Sequence, residues 1–138
     1  MKTKFNFNSH ICTTIEQSER LLALGLKEET ADMKYPCTRE YYGGVLTEGT
    51  SILPIIIDTE DDDITEYDTP AWSLGRLIEI MPLDVFDYCF TLIKNYPNGY
   101  SVEYDDSYYC YKENIYDTII EEIEHLIKEG YFNKEYLV

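Results

Sequence analysis

From Asn114 to Gly130 apolar residues recur at intervals of three and four: Ile115, Ile119, Ile123, Leu126 and Ile127, joined by Tyr116 and Ile120. That period places them on one side of an α-helix. A helix with so long an apolar stripe has to bury it against another layer, and the layer stands directly upstream. In "DYCFTLIKN" the period changes to two, with Tyr88, Phe90 and Leu92 on one face and Cys89, Thr91 and Ile93 on the other. "YSVEYDD" sets Tyr100, Val102 and Tyr104 opposite Ser101, Glu103 and Asp105, and "YYCYK" follows a further turn. The Asn98-Gly99 dipeptide between the first two segments favours a tight hairpin. Three antiparallel strands in a meander, with one covered and one wetter face, is the economical reading.

The helix itself is well punctuated. Asn114 can cap it, Asp117 sits in its first turn and Gly130 ends it. Its other stripe, Asp117, Glu121, Glu124 and Lys128, is acidic early and basic late, as the helix dipole prefers, and reads as a solvated face. Two more helices are expected. In "CTTIEQSERLLALGLK", Thr14 with Gln17, or Thr13 with Glu16, forms a capping box. Ile15, Leu21 and Leu22 mark the stripe, and Gly25 supplies a left-handed stop that lets Leu26 reach Leu21. In "TPAWSLGRLIEIMP", Ser73 caps, Trp72 staples onto Leu77, and Pro82 stops the helix. Leu74, Leu77, Ile78 and Met81 are its expected apolar face.

Between these helices the signals are weaker. "KEETADMKYPC" reads as a turn or short helical piece ending at Pro36. "SILPIIID" reads as a strand, which Pro54 confines to a sheet edge or a bulge. The expected class is α+β: a small antiparallel β-meander with about three helices, two of them packed on one sheet face. The 138 residues fit one domain, with 1–11 as a lead-in and 58–69 as a flexible acidic loop. A chain of this length can bury a sufficient core without disulfide or metal.

Charge is the unusual property. Eleven basic residues against 27 acidic ones give −16, beyond the ~2–8 common in small soluble domains. Such a field repels nucleic acid and anionic membrane and attracts basic protein surfaces. Seven carboxylates crowd into residues 58–68, and residues 40–75 hold nine acids with no Lys or Arg. No stretch approaches the ~20 apolar residues of a membrane span. "MKTKFNFNSHICTT" is too polar for a signal peptide, so free thiols at Cys12, Cys37, Cys89 and Cys110 and a cytoplasmic location are expected.

No catalytic constellation can be assembled. "YYGGVL" lacks the features of a phosphate loop. His10, Cys12 and Cys37 lack paired metal-ligand spacing, and Glu121 with His125 supplies two of the three or four ligands a zinc site needs. The acidic run has no calcium-loop glycine, and Trp72 falls where the closing carboxylate would stand. The expectation is no metal and no cofactor, with the balance against catalysis. Asp61, Asp62, Asp63, Glu66 and Asp68 are the candidate protein-docking acids. Asp32 and Trp72 are the candidates if a pocket lies between the first helix and the "PAWSL" segment. In that case the chain would bind or hydrolyse a small, nucleotide-like ligand walled by tyrosines, with Arg20, Arg39, Arg76, Lys94 and Lys112 as the basic groups available. A third reading assigns the acids to solubility alone. Oligomeric state is left open.

Three blocks carry a resemblance. "EQS..L...G....TADM" over residues 16–33, "PAWSL..L...MP" over 70–82, and an amphipathic helix ending "L...GY" over 114–132 resemble a family of small proteins of bacteria and their phages or prophages. No activity is known for that family. The resemblance implies a phage or mobile-element accessory protein in the cytoplasm of the infected cell. The residue reading then gives its task as docking, without catalysis, on a basic host protein.

Overall fold

The computed structural model describes residues 9–51, 53–57, 64–65, 67–95, 97–104 and 109–138. Their architecture is α+β: three helices and several small antiparallel sheets. The first helix, α1 (Ile15–Ala23), begins at Thr14, whose hydroxyl accepts from the Gln17 amide while the Gln17 side chain accepts from the Thr14 amide. Both halves of the capping box are therefore made. It ends where Gly25 takes φ +100° and the Leu26 amide reaches back to the Leu21 carbonyl. Leu21 and Leu26 are both sealed in the core.

Next come β1 (Met33–Tyr35), β2 (Cys37–Tyr42), β3 (Val45–Thr50), β4 (Ile55–Ile56) and β5 (Thr69–Ala71). β1 is the centre of a three-stranded sheet ordered β4-β1-β5, pairing Met33 with Ile56 on one side and with Ala71 on the other. This corrects the turn or helical piece expected at "ADMKY". Only Glu28–Thr30 forms a 3-10 turn, and the chain is extended from Ala31 onward. The edge position expected for "SILPIIID" is occupied by β4, with Pro54 just before it. Pro70 sits in the other edge strand, where its missing donor costs nothing. β2 and β3 make a separate ribbon closed by Gly43 and Gly44 at φ +56° and +84°. Two positive φ values in a two-residue loop match the twist of the flanking strands.

α2 (Leu74–Ile80) follows, capped by Ser73. Its buried face is Leu77, Ile80 and Met81, while Ile78 is exposed. Of the expected face, Leu77 and Met81 are buried and Leu74 packs partly buried against the core; Ile80, three residues after Leu77, takes the inward place expected of Ile78. A small hairpin, β6 (Asp84–Val85) with β7 (Tyr88–Cys89), interrupts the alternation foreseen from Tyr88 onward. The meander is β8 (Thr91–Asn95), β9 (Gly99–Glu103) and β10 (Tyr109–Lys112), ordered β10-β9-β8. α3 (Ile115–Glu129) lies across β9 and β10, and α1 packs against α3 and β5. Asn114 accepts from the Tyr116 and Asp117 amides, and Gly130 closes α3 at φ +81°.

Gly99 does not serve as the turn residue its neighbour Asn98 suggested. It already pairs with Asn95 as the first residue of β9, at a φ any residue can adopt. The Tyr111 ring lies over it, so that a β-carbon there would clash with the ring atoms. Gly99→Ala is expected to destabilise by about 1 kcal/mol as that ring is displaced. The penalty should vanish in a Tyr111→Ser background, which a double-mutant cycle by urea unfolding checks.

Candidate functional site

Three places collect the chemistry. The first is the seam between the "TADM" and "PAWSL" blocks. The Trp72 indole is fully buried and donates to Thr30 Oγ1 at 2.9 Å. The Trp72 amide donates to Thr13 Oγ1, and the Thr13 amide to the Trp72 carbonyl. Asp32 receives the Ser73 amide at 2.8 Å and the Ser73 hydroxyl. Met33 pairs with Ala71 beside them. Thr30, Asp32 and Met33 thus each grip one residue of the second block. Asp32 organises the start of α2 through its capping serine, and Trp72 fills the core. Neither lines the cleft beside Arg76 and Tyr136 or the groove beside Lys94 and Tyr100.

The second place is the acidic middle of the chain. Asp61, Asp62, Asp63 and Glu66 lie outside the described residues. The anchors on either side of them are described. The Ile57 amide donates to the Asp32 carbonyl at 3.0 Å. On the far side, Asp68 accepts from the Cys37 amide at 3.0 Å, the Thr65 amide at 3.1 Å and Lys34 Nζ at 3.2 Å. Its side chain is 8% exposed. Burial pushes its carboxyl pKa up, but these donors outweigh it and hold the group below the usual range. Asp68 therefore works inside the fold as a staple between β1, β2 and the end of the acidic run. Ahead of the run, every residue of β3 is exposed, Val45 and Leu46 included. Ile56, on edge strand β4, is 75% exposed.

Of the basic groups named for a pocket, Arg20 bonds Glu124 at 2.7 Å, Lys112 bonds Glu121 at 3.2 Å, and Arg76 meets Glu79 and the Thr30 carbonyl. Lys94 lines an open groove of about 830 Å³ with His10, Tyr100 and the start of α3. Glu113 lines it too, so the groove carries no clear basic bias for an anion.

The third place was not foreseen. Cys110 on β10 faces α3, where Glu122 is fully buried and His125 half-buried. One donor atom from each lies within 4.8 Å of the other two. Burial pushes the Cys110 thiol up strongly, helped by its hydrogen bond to Glu122 and by the charges of Glu122 and Glu121, against Lys112. Tyr104 is pushed up as well, by burial first and then by Glu122 and Asp84. The signal was present in the sequence. Glu122 falls inside the apolar arc of Ile119, Ile123 and Leu126, and Glu122 with His125 has the three-residue spacing that puts two ligands on one helix face. Pairing His125 with Glu121 instead obscured it.

No protein-family model, curated protein or solved structure matches this chain. No helix among the described residues is long and apolar enough to cross a membrane.

Proposed function

We propose that this chain is a non-catalytic, cytoplasmic accessory protein of phage or mobile-element type, and that it docks on a basic protein surface through strand β3 and the acids of residues 58–66. The observation that carries the reading is the exposure of strand β3. All of β3 is exposed, within a segment of nine acids and no Lys or Arg. Exposed Val45 and Leu46 near the tip of the ribbon, in a segment rich in acids by sequence, suit a partner patch that is cationic with an apolar centre. Charge would set the encounter rate, and the ribbon contacts the lifetime.

The test starts from capture of host proteins at low ionic strength, followed by kinetics with the purified partner. The association rate should fall at least tenfold between ~50 and ~500 mM salt. Neutralising Asp61, Asp62, Asp63 and Glu66 together should slow association about tenfold and leave dissociation nearly unchanged. Val45→Ser with Leu46→Ser should act the other way, on dissociation. Salt-indifferent binding, or a chain that captures no protein yet retains or hydrolyses a nucleotide, would refute the proposal.

A further inference from the structure

We infer that Cys110, Glu122 and His125 form a binding site for one divalent transition-metal ion of the zinc class, clasping β10 to α3. The argument begins with placement. Glu122 and His125 stand one turn apart on the same side of α3, and Cys110 is the buried residue of β10, whose other members are exposed. The register explains this: Cys110 pairs with Val102, which is fully buried on the face that α3 covers. Two secondary-structure elements, each held by its own caps and ladder, therefore bring three donors together.

The geometry suits a small ion. Tetrahedral zinc, with bonds of about 2.0–2.3 Å, holds its ligand atoms roughly 3.3–3.8 Å apart. The three donors already lie within 4.8 Å of one another, so side-chain rotation is enough to close the shell. A thiolate, an imidazole and a carboxylate together exclude magnesium and calcium, which take oxygen donors. Three protein ligands leave a fourth position, and half-buried His125 leaves it reachable by water.

The ligand chemistry points the same way. A divalent cation would be held by the Glu122 carboxylate and the His125 imidazole and would take the place of the Cys110 proton on sulfur. The acidic run in residues 58–68 offers oxygen donors alone and would bind such ions differently.

The experiment uses the full chain, freed of metal by chelator and titrated with Co²⁺, then Zn²⁺. One equivalent of Co²⁺ should produce a near-ultraviolet thiolate-to-cobalt charge-transfer band together with the visible bands of four-coordination, and Zn²⁺ should erase both. Zinc at ~100-fold excess over its Kd should raise Tm by roughly 5–10 °C. Cys110→Ser should abolish the charge-transfer band. His125→Ala, at a half-buried position that the fold tolerates better, should weaken cobalt binding at least tenfold while the far-ultraviolet dichroism stays native. Three results would overturn the inference: no charge-transfer band, a band that survives Cys110→Ser, or unchanged affinity in His125→Ala.

Discussion

Replacing Trp72 with alanine is expected to destabilise the protein by about 3–5 kcal/mol, enough to unfold a marginal domain at 37 °C. The indole has no exposed surface and shares one core with Leu21, Leu26, Leu77, Ile80, Ile119 and Ile123. That core is contributed by all three helices, so the cavity would open where they meet. The substitution also removes the N–H that Thr30 Oγ1 accepts, although Thr30 still donates to the Lys27 carbonyl. Trp72→Phe should cost distinctly less, because it keeps most of the volume and loses only the hydrogen bond. Urea unfolding followed by far-ultraviolet dichroism measures both. Trp72 is the single tryptophan, so wild-type emission should be blue-shifted and resistant to iodide. A loss below 1 kcal/mol, or ready quenching, would show that the indole is not the junction of this core.

The elements that sequence reasoning recovered are those whose determinants are local. Thr14 and Gln17, Ser73, Asn114, Gly25 and Gly130 each act within a few residues, so their patterns announce helix ends directly. The meander was legible for a similar reason: its strands alternate over several residues and turn into one another. β1 and β5 were not legible. Each has three residues, too few to show a period, and their pairing joins positions more than thirty residues apart. Local propensity at "ADMKY" says little, and the decision is made by Ala71 and Ile56 on either side.

The sites divide along the same line. Asp32 was visible as a residue without an evident task, and its task turns out to be long-range, on Ser73 across 41 positions. Asp68 looked like one more acid in a run, because nothing in its neighbours reveals that Lys34 and the Cys37 amide converge on it. Glu122 could have been found, since a carboxylate within an apolar helical arc is a local anomaly. Cys110 could not, because only the β9–β10 register brings it beneath α3.

Asp68→Asn is expected to destabilise by about 2–3 kcal/mol at pH 7, with a loss that shrinks in acid. The carboxylate gathers two backbone amides and an ammonium group in a nearly enclosed place, and an amide side chain can satisfy only part of that set. The sign of the pH dependence follows from the lowered pKa. A group that holds its proton less tightly when folded contributes stability above its unfolded pKa, about 3.9 for an aspartate. That contribution fades as pH falls through the folded value. Total stability is a poor readout here, because protonating the other acids relieves repulsion across a chain of charge −16 and works in the opposite direction. The difference between wild type and Asp68→Asn cancels that shared background. It should be largest and flat from about pH 5 to 7, then narrow steadily below about pH 4. A difference independent of pH would mean that the Asp68 charge is immaterial, and that its oxygens serve only as neutral acceptors for the backbone.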